Sequence, residues 1–398
     1  MKIIFIQKIF PSYRRAIFDK LNSNFGVKFL HGKNTSGIKQ IETNYSVPIK
    51  LVQLAKKETI VFLFCFRQML KERPKIILHE FTIGILSLLP VRIMAFFMRS
   101  KFILWGHNMN LKRGFKPFSH LPDFYRYLLM KSSDAVIFYT PDQMEHVKKY
   151  INNKKLFIAY NALDTDTQLK NYKQIALESR EEVKKELGIQ ATYNLIFISR
   201  LLPTKKPEQI IDIYGLLDKE IQQNTMVHII GNGPMYQQLQ NLINEAGFAD
   251  KIKLYGEVTD EIQLGKLLYI SDFMINPGYL GLSVNLAFAY GCPIITFDSV
   301  DMEQPHSPEV YYLKDGYSGI IIKNLDLNEM ATALNDSFKS NSFMKMRENC
   351  LTTIYNEGSI HQMFAGFKDA FNFVGYRQTE VSPDLDSLYP LEKDAKEY

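Results

Sequence analysis

The feature that most limits what this chain can fold into is a rhythm of short, unbroken apolar runs alternating with amphipathic helical segments, and the rhythm starts twice. In the first half the predicted strands are Ile3–Ile6, Val27–Leu30, Lys75–Leu78, Phe102–Trp105, Ala135–Phe138 and Leu156–Ala159. Helical patterns such as Tyr13–Leu21, Asp123–Met130 and Pro141–Tyr150 lie between them. After a charged stretch, Glu178–Lys185, the series resumes with Asn194–Ser199, Met226–Ile230, Ile252–Tyr255, Phe273–Asn276 and Ile294–Phe297. The helices of this second series include Pro207–Leu217, Met235–Ala246 and Ser283–Tyr290. Strands buried on both faces read as continuous apolar runs, and strand–helix alternation builds a parallel sheet covered by helices. The expectation is an α/β protein of two Rossmann-like, doubly wound domains, residues 1–165 and 166–358. A helix within 359–378 is expected to cross back to the first domain, and the acidic tail 379–398 reads as poorly ordered.

At roughly 150 residues per domain, a chain of 398 residues suits two domains. Its 46% hydrophobic and 23% charged content excludes general disorder. Cys65, Cys292 and Cys350 are far apart and form no CxxC or Cys/His pattern. Neither a disulfide framework nor a zinc site is expected, and the composition suits a reducing, cytosolic compartment. The abundance of Lys, Ile, Asn, Phe and Tyr suggests an AT-rich, bacterial coding genome. No Ser/His/Asp set, Walker A loop or HExxH is present.

The net charge of +6 hides an uneven distribution. Residues 1–150 carry 25 Lys and Arg against 9 Asp and Glu, whereas residues 151–398 carry 23 against 33. Basic and aromatic residues alternate in Lys112-Arg113-Gly114-Phe115-Lys116-Pro117-Phe118, close to the apolar stretch Phe81–Met98. Pro90 and Arg92 break that stretch, and Arg at a bilayer centre costs about 3 kcal/mol, so a buried or membrane-surface helix is expected there rather than a span. The start, KIIFIQKIF after Met1, reads as a strand and not as a signal peptide. The basic half is either a solvated face or a surface attracted to an anionic membrane. RNA is a weaker third option, since no nucleic-acid motif accompanies the charge.

Ligands of parallel sheets bind beyond the carboxyl ends of strands. After strand Asn194–Ser199 come Arg200 and, in LLPTKKPEQ, Lys205 near a helix start. Two cations beside helix N–H groups suit a diphosphate, although taken alone each reads as a surface cation. Gly231-Asn232-Gly233-Pro234 after the next strand allows a tight turn, a pattern any strand-to-helix turn can use. The third segment, Pro277-Gly278-Tyr279-Leu280-Gly281-Leu282-Ser283, would offer backbone N–H groups to an anion with Ser283 as N-cap.

In this order and spacing the three segments resemble the retaining GT-B glycosyltransferases of family 4. SRLLPTKKPEQIIDIY looks like the segment whose Arg and Lys hold the donor diphosphate. GNGPMYQQLQNLINEAGFADKIKLYGEV is similar to the family's GxGP turn and helix, and NPGYLGLSVNLAFAYGCPII to its donor-sugar loop. The resemblance covers most of residues 190–325 and, more loosely, the first half. It implies a GT-B fold, with two Rossmann-like domains facing a central cleft. The second domain would take a UDP- or GDP-sugar as substrate, with no separate cofactor and no metal. A glycan or lipid-linked acceptor would lie on the first domain. The family's paired glutamates fall on Gly278 and Leu286, so both carboxylates are missing. Asn285 or Glu303 is the candidate for the ribose in their place, and Gly231, Gly233, Gly281, Leu282 and Ser283 are the other donor-site candidates.

In the first half the resemblance places His107 toward the donor sugar. Glu80, after His79 at a strand end, is a candidate for hydrogen-bonding or deprotonating the acceptor hydroxyl, or equally a helix cap. Arg14 is a candidate for an acceptor phosphate or the donor diphosphate. Asn161 and Asp164 look like the family's interdomain turn, a hinge rather than a catalyst, and Glu309 is read as capping a helix. The expected function is transfer of a hexose to a lipid-linked or growing surface polysaccharide (capsule or O-antigen), in the cytoplasm at the inner face of the membrane. A nucleotide-sugar epimerase of the same fold, and a catalytically silent partner in polysaccharide assembly, are the alternatives.

Overall fold

The computed structural model describes residues 1–32, 39–53, 60–62, 65–106, 113–299, 302 and 304–376. Met1–Asp164 and the segment from Ile360 form one compact unit, and Thr165–Ser359 forms the second.

The strands of unit 1 are β1 (Ile3–Gln7), β2 (Val27–His31), β3 (Ser46–Pro48), β4 (Leu51–Gln53), β5 (Ile60–Phe62), β6 (Ile76–Glu80), β7 (Lys101–Trp105), β8 (Ala135–Phe138) and β9 (Leu156–Ile158). Seven of them make a parallel sheet in the order β3-β2-β1-β6-β7-β8-β9. The two others, β4 and β5, pair antiparallel. Its helices begin with α1 (Arg15–Phe25), α2 (Cys65–Glu72), α3 (Leu88–Phe97), α4 (Leu121–Ser132) and α5 (Pro141–Val147).

Unit 2 contributes β10 (Tyr193–Ile198), β11 (Thr225–Ile230), β12 (Ile252–Gly256), β13 (Phe273–Asn276), β14 (Ile294–Phe297) and β15 (Gly319–Ile322). They form one parallel sheet in the order β12-β11-β10-β13-β14-β15. The helices here are α6 (Thr165–Ile175), α7 (Arg180–Glu186), α8 (Gln209–Gly215), α9 (Lys219–Gln223), α10 (Tyr236–Glu245) and α11 (Glu261–Ile270). Three more follow: α12 (Ser283–Ala289), α13 (Leu327–Ser340) and α14 (Phe343–Asn356). The chain then returns to unit 1 with α15 (Ile360–Phe373).

Strand pleating sorts the side chains of unit 1 into two cores. Ile3 and Phe5 join Trp105, Ile137 and residues of α1 and α15 such as Phe18, Phe367 and Phe371. Their neighbours Ile4 and Ile6 point the other way, against Leu88 and Val91 of α3 and Leu129 and Met130 of α4. Both faces of the sheet are therefore covered, as the unbroken apolar runs require. In unit 2 the same alternation sends Leu195, Phe197, Val227 and Ile229 into one core with α8, α10 and α13.

The apolar stretch Phe81–Met98 is helical only over the ten residues of α3. Pro90 falls in its first turn, where a missing N–H breaks no helical bond. Among the described residues no helix is long and apolar enough to cross a membrane. The tail 379–398 lies outside the described residues.

Candidate functional site

The site of unit 2 starts from its strand order. The chain runs from β10 outward through β11 and β12, then returns to the other side of β10 with β13, β14 and β15. Loops leaving β10 and β13 therefore diverge at a topological switch point, where parallel sheets bind ligands.

After β10 the chain passes Arg200, makes a 3₁₀ turn at Pro203–Lys205, and enters a left-handed conformation at Lys206 (φ 48°). Arg200 is exposed, and its guanidinium has no partner among the described residues. Lys205 is half-buried. Its Nζ donates to the Tyr279 carbonyl at 2.5 Å and sits 4.1 Å from the centre of the Tyr279 ring. Burial pulls its pKa down to about 8. The expected helix N-terminus beside Lys205 is not there: α8 begins only at Gln209. The N–H groups of Gln209, Ile210 and Ile211 are taken by the carbonyls of Lys206, Pro207 and Glu208. A tight 3₁₀-like entry thus uses up the donors that an open helix end would have offered.

The GxGP turn backs this loop. Gly231 and Gly233 have φ of 134° and 159°. A Cβ on Gly231 would stand 1.8 Å from the Ser199 oxygen, and one on Gly233 2.5 Å from that of Leu201. Leu201 closes the contact by donating its N–H to the Asn232 carbonyl at 3.0 Å and accepting from Met235 N–H at 3.2 Å. Only glycine permits this approach.

The segment after β13 presses on the same loop from the other side. A Cβ on Gly278 would lie 2.4 Å from the carbonyl carbon of Lys205, and the Tyr279 N–H donates to Thr204 O at 3.1 Å. The backbone of the Lys205 turn occupies the space of a side chain at 278. A glutamate is therefore excluded there sterically as well as absent from the sequence.

Sequence reasoning missed what holds this segment in place. The His306 Nδ1 accepts the Leu280 N–H at 3.0 Å, and Ser307 donates both its N–H (3.0 Å) and its hydroxyl (3.1 Å) to the Leu280 carbonyl. The one hydroxyl proton of Ser307 is shared between that carbonyl and the nearer carboxylate of the buried Glu309. His306 Nε2 faces the Phe297 carbonyl at 2.8 Å. A carbonyl only accepts, so the proton is on Nε2 and the ring is neutral. Burial holds its pKa below the ordinary range and nearby Lys205 adds to this, against the Phe297 carbonyl and Asp298. The available signal was the His-Ser-Pro-Glu run after β14, of which only Glu309 drew notice.

The N–H groups of Gly281, Leu282 and Ser283 point to no acceptor among the described residues. These unpaired N–H groups, two to four residues from the Tyr279 that holds Lys205, are candidate donors to an anion such as a phosphate. Ser283 differs from expectation. Leu282, already in helical φ/ψ, is the N-cap, so Ser283 is the first helical residue and its hydroxyl caps nothing. Asn285 is fully buried, and its Nδ2 donates to the Gly358 carbonyl at 2.8 Å. Its Oδ1 has no hydrogen-bond partner. Glu303 lies outside the described residues.

Unit 1 has its own switch point, between β1 and β6. Glu80 ends β6 there and accepts the Lys8 N–H at 2.6 Å and the Thr82 hydroxyl at 3.4 Å. Arg14 stacks 4.5 Å from the Trp105 ring centre and donates to the Tyr139 hydroxyl and to Asn161 Oδ1, each at 3.3 Å. Although burial opposes its charge, Tyr139 and Tyr13 leave its pKa raised. Arg14 and Asn161 thus tie the loop after β1 to the end of β9. His79 is buried and donates from Nδ1 to the Glu80 carbonyl at 2.7 Å, and burial lowers its pKa to about 4. His107 lies outside the described residues. Among the described residues no group of three His, Cys, Asp or Glu could hold a metal ion.

Residues 179–356 match the family model for glycosyl transferases, group 1. An uncharacterized glycosyltransferase of Methanocaldococcus jannaschii is 24% identical over 226 residues, and the match takes in 55% of each protein. The chain thus spans about half the length of that curated relative. Among solved structures, Anabaena HepE in complex with UDP superposes with a TM-score of 0.67 at 14% identity, covering 94% of this chain and 100% of that one. The lipopolysaccharide outer core galactosyltransferase WaaB, in its apo form, gives 0.65 at 15% identity, covering 94% and 99%. The chain has the GT-B fold, and its second unit is related to the group 1 glycosyl transferases.

Proposed function

We propose that this protein transfers a hexose from a nucleotide sugar, UDP- or GDP-linked, to a hydroxyl of a lipid-linked or growing surface polysaccharide, with retention at the anomeric carbon. The observation that carries this reading is the candidate anion site of unit 2. The two loops that leave the switch point carry the half-buried cation Lys205 with Arg200, and the unpaired N–H groups of Gly281, Leu282 and Ser283. The likeness to a protein solved with UDP, and to one named as a lipopolysaccharide galactosyltransferase, supports the donor and acceptor classes. In the reaction the acceptor oxygen bonds to the anomeric carbon as the bond from that carbon to the β-phosphate oxygen breaks. The acceptor proton passes to the departing diphosphate. Arg200, Lys205 and the loop donors stabilise that developing charge, the largest catalytic contribution in such sites.

Unit 1 takes the acceptor, with Glu80 as a candidate partner of its hydroxyl and the basic surface against an anionic membrane, and the donor-sugar role expected of His107 falls outside the described residues. Arg200→Ala is expected to slow turnover at least ~100-fold, and normal turnover by this variant would overturn the assignment. A thermal-shift screen of activated sugars identifies the donor, since a ligand that binds only the folded state raises its melting temperature. The missing carboxylates at Gly278 and Leu286 favour one second reading, a catalytically silent partner. Tight nucleotide binding by calorimetry, with no turnover on any acceptor extract, separates the two.

A further inference from the structure

We propose that the carboxyl edge of the sheet in unit 1 holds a subsite for an acidic sugar, whose carboxylate or phosphate is taken by Arg14 and Trp105. The subsite deepens the glycosyltransferase reading, resting on it only for calling that sugar the acceptor. Phe5, Phe29, Leu78 and Ile103 share one face of the sheet. Two residues further along each strand, the same face ends in Gln7, His31, Glu80 and Trp105. The register sets these four in a row: His31 opposite Gln7, Gln7 one residue past the Ile6–His79 pair and so level with Glu80, and Glu80 opposite Trp105. The row crosses the switch point between β1 and β6, where parallel sheets bind ligands. His31, Gln7 and Trp105 are all more than nine-tenths buried, yet His31 Nε2, Gln7 Nε2 and Trp105 Nε1 have no hydrogen-bond partner. Native folds pair such groups, so a row of them at a switch point marks where the polar groups of a ligand bind.

The two ends of the row select different chemistry. At the Trp105 end the unpaired groups are donors only. The Trp105 Nε1–H has no acceptor, and Arg14, 4.5 Å from the Trp105 ring centre, has a buried Nε–H without one either. The bonds that Arg14 does make go to neutral oxygens, the Tyr139 hydroxyl and Asn161 Oδ1, both long at 3.3 Å. Glu80 acts on it from a distance, without an ion pair. A guanidinium with an unused N–H beside an indole N–H selects an oxyanion. At the other end stand acceptors, the Glu80 carboxylate and His31. A carbonyl only accepts, so His31 gives its Nδ1 proton to the Gly32 carbonyl at 3.0 Å and keeps a lone pair on Nε2. With the Gln7 amide between them, these groups suit sugar hydroxyls. One strand spacing, about 4.8 Å, separates Trp105 from Glu80, which is within the width of one sugar ring. The ring of Tyr13, 38% exposed and 5.7 Å from the Arg14 guanidinium, offers the apolar face of that sugar a surface to stack on. A neutral sugar would leave Arg14 unpaired, and a bare phosphate would leave the acceptor end unused.

Trp105 is the one tryptophan of the chain, so its fluorescence reports on this subsite. The test is titration of the full chain with glucuronate, α-glucosyl phosphate and glucose at constant ionic strength. The expected result is a saturable change in emission with at least one of the two acidic sugars and none with glucose at the same concentrations. A response to glucuronate alone would identify the anion as a carboxylate, and one to α-glucosyl phosphate alone as a phosphate. Arg14→Gln should weaken this binding at least ~10-fold, through the loss of one charged hydrogen bond. Its stabilisation by UDP-glucose, or whichever activated sugar stabilises the parent, should not change. If Arg14→Gln does not fold, Arg14→Lys keeps the charge without the planar fork and should still bind severalfold more weakly. An equal response to glucose, no response to either acidic sugar, or undiminished binding by the folded variant would overturn the proposal. So would an Arg14 variant that loses its stabilisation by the activated sugar, because the guanidinium would then serve the donor. A response to acidic sugars from a protein that no activated sugar stabilises would keep the subsite and remove the glycosyltransferase reading.

Discussion

The ring of His306 accepts the backbone N–H of Leu280 at 3.0 Å, and this bond fixes the segment whose next three N–H groups are the proposed anion donors. Only a neutral imidazole can accept there, and the Phe297 carbonyl already takes its one proton. Lys205 and Asp298 are the charged groups that act on the ring. His306→Ala leaves the buried Leu280 N–H unpaired, a cost of roughly 1–3 kcal/mol. Part of that cost is expected as a donor KM about tenfold higher. His306→Asn, whose Oδ1 can take the place of Nδ1, should recover most of the donor affinity. Equal losses in the two variants would mean that the imidazole only fills space.

Lys205 makes donor binding depend on pH. With a folded-state pKa of about 8 it loses its proton just above neutrality, whereas an anionic diphosphate favours the charged form. Binding therefore takes up a proton above pH 8, and affinity should fall by up to about tenfold per pH unit beyond it. Calorimetric titration of the donor across that range tests this. Lys205→Met should bind more weakly at neutral pH and show a flat profile, and a parent protein with an equally flat profile would sink the idea.

Restoring the family carboxylate at 278 should fail. A side chain there starts 2.4 Å from the carbonyl carbon of Lys205, so Gly278→Glu must push the Lys205 turn away from Tyr279. Overpacking of this kind costs about 1–3 kcal/mol, and donor-induced stabilisation should disappear with it. Gly278→Ala should show most of the same effect, because the clash begins at Cβ. Leu286→Glu is the control, since Leu286 is only half-buried on α12 and a carboxylate there can reach solvent. A more active Gly278→Glu variant would refute the steric argument.

What was legible in the sequence was what local pattern decides. The strands Ala135–Phe138, Phe273–Asn276 and Ile294–Phe297 have the bounds their apolar runs predict, and the helix Ile360–Phe373 falls within the expected 359–378. The short strands Ser46–Pro48, Leu51–Gln53 and Ile60–Phe62 were not legible, because three residues carry no periodicity. The glycines that let these loops pack together were legible because each follows a strand. The clamp could not, since His306 and Leu280 are 26 residues apart and meet only once β14 lies beside β13. Ser283 was misread as a cap for a local reason: the helix starts one residue earlier, on a leucine.

Two buried histidines lead the response to acid, and His306 and His31, also lowered by burial, add to it in the same direction. His228 accepts from the Tyr255 hydroxyl at 2.9 Å and donates to Asn194 Oδ1 at 3.1 Å, and burial holds its pKa at about 3. His79 is held at about 4 in the same way. Unfolded, both would titrate near 6.5. Above that pH neither state binds the proton and stability is level. Below it the unfolded chain takes up protons that the native fold refuses, so stability falls with pH until about 4 for His79 and 3 for His228. At pH 5 each histidine accounts for a loss of about 2 kcal/mol relative to pH 7. Glu72 and Asp123, whose pKa values are lowered, add to the loss only below the ordinary carboxylate range, which leaves this window to histidine. Urea midpoints at pH 7 and pH 5 measure it. His228→Gln should lower stability at pH 7 but shrink the difference between the two, and equal midpoints for the parent protein would show that these imidazoles titrate in the folded state.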